Sequence, residues 1–301
     1  MTAERRYSVA LELRHEGMLS ALAQVFRVLE RGGVAALTMK GPVLAERIYA
    51  NEGSRQSCDL DLMVSRRDLP AAGAALRELG YSPAKPLWPG WPANPLEFHS
   101  VFEKRGAPCV ELHYRFSDMP GKRHEAAAFL DRRRAYRTSL GGQAYIMEPE
   151  DEFIFLCAHA ARHFFERSMW LDDLELFISN HRNLKWHVIG ERARQLRLQT
   201  ALWAASQELR AKRSGPAALA ALGLRPNAVM RRAWPKILPV LPHPAQPRPL
   251  SWKIRHAAYQ IALRDSPWAA VRHAFFFGLL LLQAGIDVLV QRAAWMKERR
   301  A

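Results

Sequence analysis

Cysteine is scarce in this sequence, and the few cysteines lie too far apart to act together. Cys58, Cys109 and Cys157 form no C-x-x-C pair and show no ligand spacing with histidine. This pattern excludes a disulfide framework and a zinc site of the finger type. The three thiols are instead expected to be reduced core residues of a cytoplasmic protein.

Several other signatures are missing too. The sequence contains no Walker A loop, no RNP or zinc-finger motif, no H-E-x-x-H and no internal repeat, which argues against the protein classes that these patterns define. Residues 1–17 carry charges of both signs and no apolar stretch, so a signal peptide is not expected.

One apolar segment, residues 274–290, bears on membrane contact. It is interrupted by Gln283 and Asp287. Its uninterrupted part, residues 274–282, is too short to span about 30 Å of hydrocarbon, so no transmembrane span is expected. A buried C-terminal helix is the first expectation. Because basic residues flank the segment, an interfacial helix on acidic lipid, peripheral at the inner membrane face, is the alternative.

Acidic residues are few relative to basic ones. The chain has 44 Lys and Arg against 29 Asp and Glu, a formal net charge of +15. This excess favours an anionic partner such as a nucleotide, a nucleic acid or acidic lipid. The arginines are scattered and no nucleic-acid motif accompanies them, so nucleic acid stays open as a partner on charge alone.

The remaining composition is that of an ordinary globular protein. With 301 residues, 49% hydrophobic and 24% charged, the chain can form two domains, or one domain with a large helical extension. Hydrophobic spacing and turn residues predict alternating helices and short strands in the first half. These are the helices 12–31, 43–50 and 69–79, the strands 34–39 and 58–64, and a hairpin of 97–104 with 108–116.

After His124 helical patterns dominate. They predict helices over 125–137, 150–166, 168–179 and 186–213, one strand at 143–147, and Arg132 to Arg134 on a solvated helix face. The expected fold class is α+β, a small mixed β-sheet flanked by helices and followed by a mostly helical domain. The expected parts are an α/β core in 1–147, a helical domain in 148–237, and a proline-rich arm with C-terminal helices in 238–301.

The most informative pattern is Asp59-Leu60-Asp61-Leu62, in which carboxylate and aliphatic side chains alternate. Successive side chains of a strand point to opposite faces, so Asp59 and Asp61 share one face while the leucines enter the core. Two carboxylates this close raise each other's pKa unless a cation lies between them. Mg²⁺ held by carboxylates and phosphate oxygens is the usual arrangement. An edge strand with one solvated polar face is the alternative.

Around this strand the sequence resembles a known family. The residues concerned are Leu37-Thr38-Met39-Lys40-Gly41-Pro42, Arg55, 59–64, Gly80-Tyr81 and Val110-Glu111-Leu112-His113, and in the helical half 159–163 and 170–174. On these residues the chain resembles the bacterial family of uncharacterised nucleotidyltransferases, within the nucleotidyltransferase-fold superfamily. The resemblance spans roughly residues 37–209, and members of that family occur beside exopolysaccharide and lasso-peptide biosynthesis genes.

The resemblance implies a metal-dependent site in a nucleotidyltransferase-like core. Asp59 and Asp61 would bind the metal and the triphosphate, and Glu111 would complete the cage and help to activate the acceptor hydroxyl. Two Mg²⁺ ions, with Mn²⁺ as an alternative, would brace the attacking and leaving oxygens. The Lys40-Gly41 turn would bind the β- and γ-phosphates, and Arg55 the leaving pyrophosphate.

The roles of three further residues stay open. His159 and His163 stand at positions i and i+4, so they face one side of a helix. They are candidates for metal ligands, phosphate contacts or acceptor-site residues, and equally for an ordinary packing surface. Asp173 is a candidate to position the substrate, to orient a histidine or to pair with an arginine.

The function that the resemblance implies is transfer of an NMP group from an NTP such as ATP, with release of pyrophosphate. The acceptor is expected to offer a hydroxyl or a phosphate and to be a small molecule, a peptide or a glycan precursor. Two alternatives remain. One is a toxin-like nucleotidyltransferase acting on tRNA or protein, which the charge of +15 keeps open. The other is a degenerate nucleotide-binding scaffold.

Overall fold

The computed structural model describes residues 3–84, 97–117, 126–212, 219, 221–237, 250–275 and 278–279. The chain forms two compact units, Met1–Pro226 and Asn227–Ala301, and each is described by itself. The helices of the first unit are α1 (Ala3–Arg31), α2 (Pro42–Ile48), α3 (Leu69–Glu78), α4 (Ala127–Leu130), α5 (Pro149–Arg162), α6 (Ser168–Asn180), α7 (Trp186–Leu196) and α8 (Gln199–Lys212). Those of the second include α9 (Ala228–Ile237) and α10 (Leu250–Ala262), and residues 267–275 are helical as well.

The strands lie in the first unit and form one seven-stranded mixed sheet with the order β3-β4-β5-β2-β1-β7-β6. They are β1 (Ala36–Thr38), β2 (Asp59–Val64), β3 (Ser82–Pro83), β4 (His99–Glu103), β5 (Cys109–His113), β6 (Arg134–Arg137) and β7 (Gln143–Ile146). Central β2 runs antiparallel to β1 and parallel to β5. The expected α+β class is confirmed, as is the predicted hairpin, which forms β4 and β5.

One face of the sheet packs against α1 and α3. Leu60 and Leu62 of β2, with Val110 and Leu112 of β5, are at most 1% exposed and enter the core that α1 and α3 also fill. Because side chains alternate along a strand, burying these aliphatic residues leaves the acidic residues of β2 on the opposite face. The alternation read from the sequence is therefore present in the fold.

The helical part of the first unit is organised around α5, which packs against α6, α7 and α8. The five consecutive residues 153–157 of α5 are buried, as expected of a helix surrounded by others. Phe153 meets the ring of Phe177 in α6 and the edge of Trp186 in α7, with centroids 6.2 and 5.5 Å away. The expected mostly helical region after the sheet is confirmed.

The predicted helix over 125–137 is wrong. Its described part is the short helix α4 followed by the edge strand β6, which pairs with β7. The predicted solvated helix face is wrong too, because Arg132 contacts buried Asp151 at 2.8 Å and Arg134 contacts Glu148 at 3.3 Å. In the folded chain β6 pairs with the edge of β7, and Arg132 and Arg134 meet acidic partners. These long-range interactions stabilise a strand where the local pattern predicts a helix.

Two other predicted helices are shorter than expected. The helix over 150–166 ends with α5, since Phe164 and Phe165 adopt positive φ values of 59° and 54°. The helix over 186–213 is broken between α7 and α8 by Arg197, which has φ 55° and ψ 46°. A left-handed residue ends an α-helix. Neither break contains the glycine or proline that usually marks such an end.

The expectation that all three cysteines are core residues is wrong for one of them. Cys157 is buried, Cys109 is half-buried and Cys58 is exposed, and all three thiols are free. Cys58 comes just before the first residue of β2, so it lies outside the paired strand that would bury it.

No described helix combines the length and apolarity that crossing a membrane requires. Residues 238–249 of the predicted arm lie outside the described residues, as does most of the segment 274–290. The arm, the membrane contact of that segment and the division of 1–147 from 148–237 stay predictions.

The left-handed conformation of Arg197 generates a stability prediction. Glycine adopts this conformation without strain, so Arg197→Gly should raise the free energy of unfolding by about 0.5–1 kcal/mol. Glu191→Gly, at an exposed position inside α7, should instead lower it by about 1 kcal/mol. Urea denaturation of the two variants measures both effects, and equal losses in the two would contradict the assignment of Arg197 as the helix end.

Candidate active site

Three carboxylates meet on the sheet face opposite the core of α1 and α3. Asp59 opens β2, Asp61 follows on the same face, and parallel β5 places Glu111 directly opposite Asp61. Asp61 is 1% exposed, whereas the side chains of Asp59 and Glu111 are 25% and 24% exposed. The cluster therefore has a buried centre and an accessible rim.

His113 is a fourth member of this cluster, and the sequence prediction did not include it among the site residues. Its Nε2 lies 3.1 Å from Oδ1 of Asp61 and 3.3 Å from Oε2 of Glu111. His113 follows Glu111 by two positions on β5, so alternation puts both on one face. That spacing is the same signal as the one in Asp59-Leu60-Asp61, and it was available in the sequence.

Lys40 supplies a cation that the two aspartates share. Its Nζ lies 2.5 Å from Oδ2 of Asp61 and 3.6 Å from Oδ1 of Asp59. The hydroxyl of Thr38 donates to the carbonyl of Lys40 at 3.0 Å and fixes the backbone there. Because β1 is the antiparallel neighbour of β2, the residue that follows β1 reaches the aspartates across the sheet.

Gly41 turns the chain from Lys40 into α2 with φ 82° and ψ −144°. A side chain would be strained at this positive φ, so the turn requires glycine. Pro42 is at the start of α2, as its rigid φ favours. Since α2 has only seven residues and Pro42 lacks an N–H, this turn has few backbone donors. The predicted phosphate contact of the turn stays a prediction.

Arg55 and Asp173 form a buried bidentate ion pair behind this turn. Nε and Nη2 of Arg55 donate to Oδ1 and Oδ2 of Asp173 at 2.7 and 2.9 Å. Nη1 of Arg55 donates to the carbonyl of Gly41 at 3.3 Å, and the Tyr49 hydroxyl donates to Asp173 at 2.8 Å. Asp173 thus pairs with an arginine, one of the roles left open for it. The contact of Arg55 with pyrophosphate stays a prediction.

The charges of the cluster are balanced around Asp61. Burial alone would raise the pKa of Asp61, but Lys40 and His113 outweigh it and hold that pKa well below its usual range. The hydrogen bond from His113 lowers the pKa of Glu111 against the effect of burial. Burial lowers the pKa of His113, yet its bonds to Asp61 and Glu111 raise it overall. Burial and the charge of Asp61 raise the pKa of Asp59.

His159 and His163 lie against each other, with ring centroids 4.7 Å apart. Trp170 of α6 packs against both rings at 5.3 and 5.2 Å. Burial, reinforced by the charges of Lys40 and His163, holds the pKa of His159 well below its usual range, so this imidazole is neutral. The charges of Lys40 and Asp61 both act on His159. Their chemical roles stay predictions.

The cluster fits a divalent cation. Asp61, Glu111 and His113 each offer one ligand atom, and among the described residues these atoms lie within 4.8 Å of one another. Oδ2 of Asp61 is buried and lies against the ammonium of Lys40, a cation already in place there. Carboxylate oxygens suit Mg²⁺ and Mn²⁺, and an imidazole nitrogen favours transition metals. Asp59 is not one of these three residues, and its Oδ1 lies 3.6 Å from Nζ of Lys40.

A mixed sheet that carries an alternating pair of aspartates beside a third carboxylate is the arrangement expected of a nucleotidyltransferase. The chain belongs to the family described as uncharacterised nucleotidyltransferase, whose sequence profile matches residues 4–208. The family resemblance and the enzyme class expected from the sequence are therefore confirmed. The match begins earlier in the chain than the expected residues 37–209.

Among solved structures, that of the antibiotic-resistance factor ANT(2'')-Ia is similar to this chain. The identity is 12% and the TM-score 0.40, with 64% of this chain and 95% of that chain covered. A likeness at this level does not establish a shared activity. No curated protein matches the sequence.

The buried ion pair of Arg55 and Asp173 generates a second prediction. Its side chains are 3% and 2% exposed, so Asp173→Asn leaves a buried cation without its counter-charge and should cost about 3 kcal/mol in the free energy of unfolding. The exposed pair of Arg31 and Glu78, 63% exposed on both sides, is the matched control. Glu78→Gln should cost less than about 1 kcal/mol. Urea denaturation that gave equal losses would refute a structural role for the buried pair.

Proposed function

We propose that the protein transfers an NMP group from an NTP, with ATP as the first candidate, to a hydroxyl or phosphate acceptor. The transfer depends on a divalent metal and releases pyrophosphate. The observation that supports this proposal is the meeting of Asp59, Asp61 and Glu111 on one sheet face, with Lys40 and His113 against them. Packing does not require these carboxylates, because the other face of the same strands supplies the core.

Asp61 and Glu111 would hold the metal, with His113 as a third ligand and Asp59 at the rim for a second ion. Mg²⁺ is the first candidate and Mn²⁺ the alternative. Bound there, the metal would offset the negative charge that develops on the phosphate oxygens. His113 would have to release the proton on Nε2 in order to become a ligand. Its two hydrogen bonds to carboxylates would therefore be present only in the metal-free site.

The other tasks of the reaction fall to residues at the rim of the cluster. Lys40, with its side chain 16% exposed, would bind phosphate oxygens of the nucleotide. Glu111, whose pKa is lowered by His113, would help to remove the proton of the acceptor hydroxyl. The acceptor oxygen then bonds to the α-phosphorus while the bond to the pyrophosphate oxygen breaks. Arg55 would act indirectly, because its hydrogen bond to the Gly41 carbonyl holds the turn in place.

The acceptor is proposed to lie on the side of His159, His163 and Trp170, whose rings are half-buried and pack against one another. A small molecule, a peptide or a glycan precursor from a biosynthetic gene cluster is the leading class of acceptor. The net charge of +15 supports tRNA or an acidic protein surface as the second candidate.

Removing either aspartate charge tests the role of the cluster. Asp59→Asn and Asp61→Asn each keep the side-chain shape but remove a ligand charge, so pyrophosphate release from labelled NTP should fall about 100-fold or more. Asp68→Asn, at the start of α3, is the control and should leave the rate unchanged. Circular dichroism would verify that all three variants are folded. Full turnover by either cluster variant would overturn the proposal.

Labelled nucleotides identify the acceptor. The protein would be incubated with each α-labelled NTP and Mg²⁺, alone and with host extract, and the label separated by size. Label on a small molecule or peptide supports the leading class of acceptor. Label on tRNA, with retention that falls steeply as salt rises, supports the second candidate. No transfer to any fraction would contradict both.

A further inference from the structure

Lys40 occupies the gap between the two aspartates of the candidate site. Its Nζ contacts Oδ2 of Asp61 at 2.5 Å and lies 3.6 Å from Oδ1 of Asp59. A divalent cation that contacted both carboxylates, at about 2.1 Å from each oxygen, would have to lie in the same gap. Two cations cannot share it, because their repulsion is strong at such distances inside a protein.

Lys40 contacts the carboxylate oxygen of Asp61 that His113 does not bind. Oδ1 of Asp61 is bonded to His113, whereas Oδ2 has the ammonium of Lys40 against it at 2.5 Å. The contact of Oδ2 with Lys40 is therefore charge-assisted and short, at 2.5 Å. The ammonium ends a flexible four-carbon stem, so it can exchange Oδ2 for another anionic partner without a change of the backbone.

Exposure shows which way the ammonium can leave. The Lys40 side chain is 16% exposed and that of Asp61 only 2%, and the neighbouring Asp59 is 25% exposed. Lys40 therefore stands between the buried carboxylate and the rim. The turn at Gly41 fixes its backbone, while the four-carbon stem leaves the ammonium free to swing toward the rim.

From this geometry we infer that Lys40 is an internal counter-cation of the candidate site, which a divalent metal that bridges Asp59 and Asp61 must displace and which then becomes available to the phosphates of the nucleotide. This inference rests on the proposed function. Without nucleotide, the metal has to break the contact of Lys40 with Asp61 and nothing replaces it. With nucleotide present, the displaced ammonium gains phosphate oxygens as partners. Lys40 thus opposes binding of metal alone and favours binding of metal together with nucleotide.

Mn²⁺ binding in the absence of nucleotide tests the inference. Free Mn²⁺ would be followed by electron paramagnetic resonance with the full-length chain and with Lys40→Met. The variant should bind Mn²⁺ about tenfold or more tightly, as expected when a contact to a charged group no longer has to be broken. Equal dissociation constants for the two proteins would overturn the counter-cation role.

Two controls separate this role from general charge and from the proposed function. Lys104→Met removes the same charge at an exposed position over the ring of Tyr81, and it should bind Mn²⁺ as the unchanged protein does. Adding Asp61→Asn to Lys40→Met should abolish the gain. If neither the unchanged protein nor Lys40→Met binds Mn²⁺, the metal dependence in the proposed function fails as well.

A second measurement needs no variant and therefore does not depend on whether Lys40→Met folds. Acetylation of Lys40 would be quantified by mass spectrometry in the unchanged protein, with Lys104 as internal reference. Adding Mn²⁺ alone should release the ammonium from Asp61 and raise the acetylation rate of Lys40 several-fold. An unchanged ratio of the two rates at saturating Mn²⁺ would overturn the inference.

Discussion

The site depends on keeping the carboxylate of Asp61 charged at the centre of a folded sheet. Asp61 is 1% exposed, and an ionised carboxylate in such a place is stable only when cations and hydrogen bonds replace its water. Lys40 does this from the turn after β1 and His113 from β5, one on each side of β2. The strand order β5-β2-β1 is what brings them there, so the topology of the sheet and the electrostatics of the site are one constraint.

The helical region holds the segment after Lys40 in place through two ion pairs. Arg47 of α2 donates to Glu152 of α5 at 2.8 Å, and Arg55 binds both oxygens of Asp173 in α6. Both ion pairs are buried, and each ties the segment after Lys40 to a helix that lies more than 100 positions later in the chain. The turn at Gly41 is therefore fixed by helices distant in sequence, although no part of those helices need touch the nucleotide.

Part of this arrangement could be predicted from the sequence because it repeats at short range. The alternation of Asp59 to Leu62 set both faces of β2, and the same period would have revealed His113 next to Glu111. The partner of Arg55 could not be predicted, since nothing near Arg55 in sequence indicates Asp173. The helix ends at Arg197 and Phe164 could not be predicted either. Residues with no turn preference adopt a left-handed backbone conformation there, because tertiary contacts override local propensity.

Charge arithmetic shows how little the metal of the proposed function would change the net charge of the cluster. Lys40 carries one positive charge, and His113, whose hydrogen bonds to two carboxylates raise its pKa, carries a second when protonated. Two single charges equal the charge of one divalent cation. If a metal replaced the ammonium and the imidazole proton, the field acting on Asp59, Asp61 and Glu111 would change little. The carboxylates can then remain in place while the cation is exchanged, and the sheet need not rearrange between the two states.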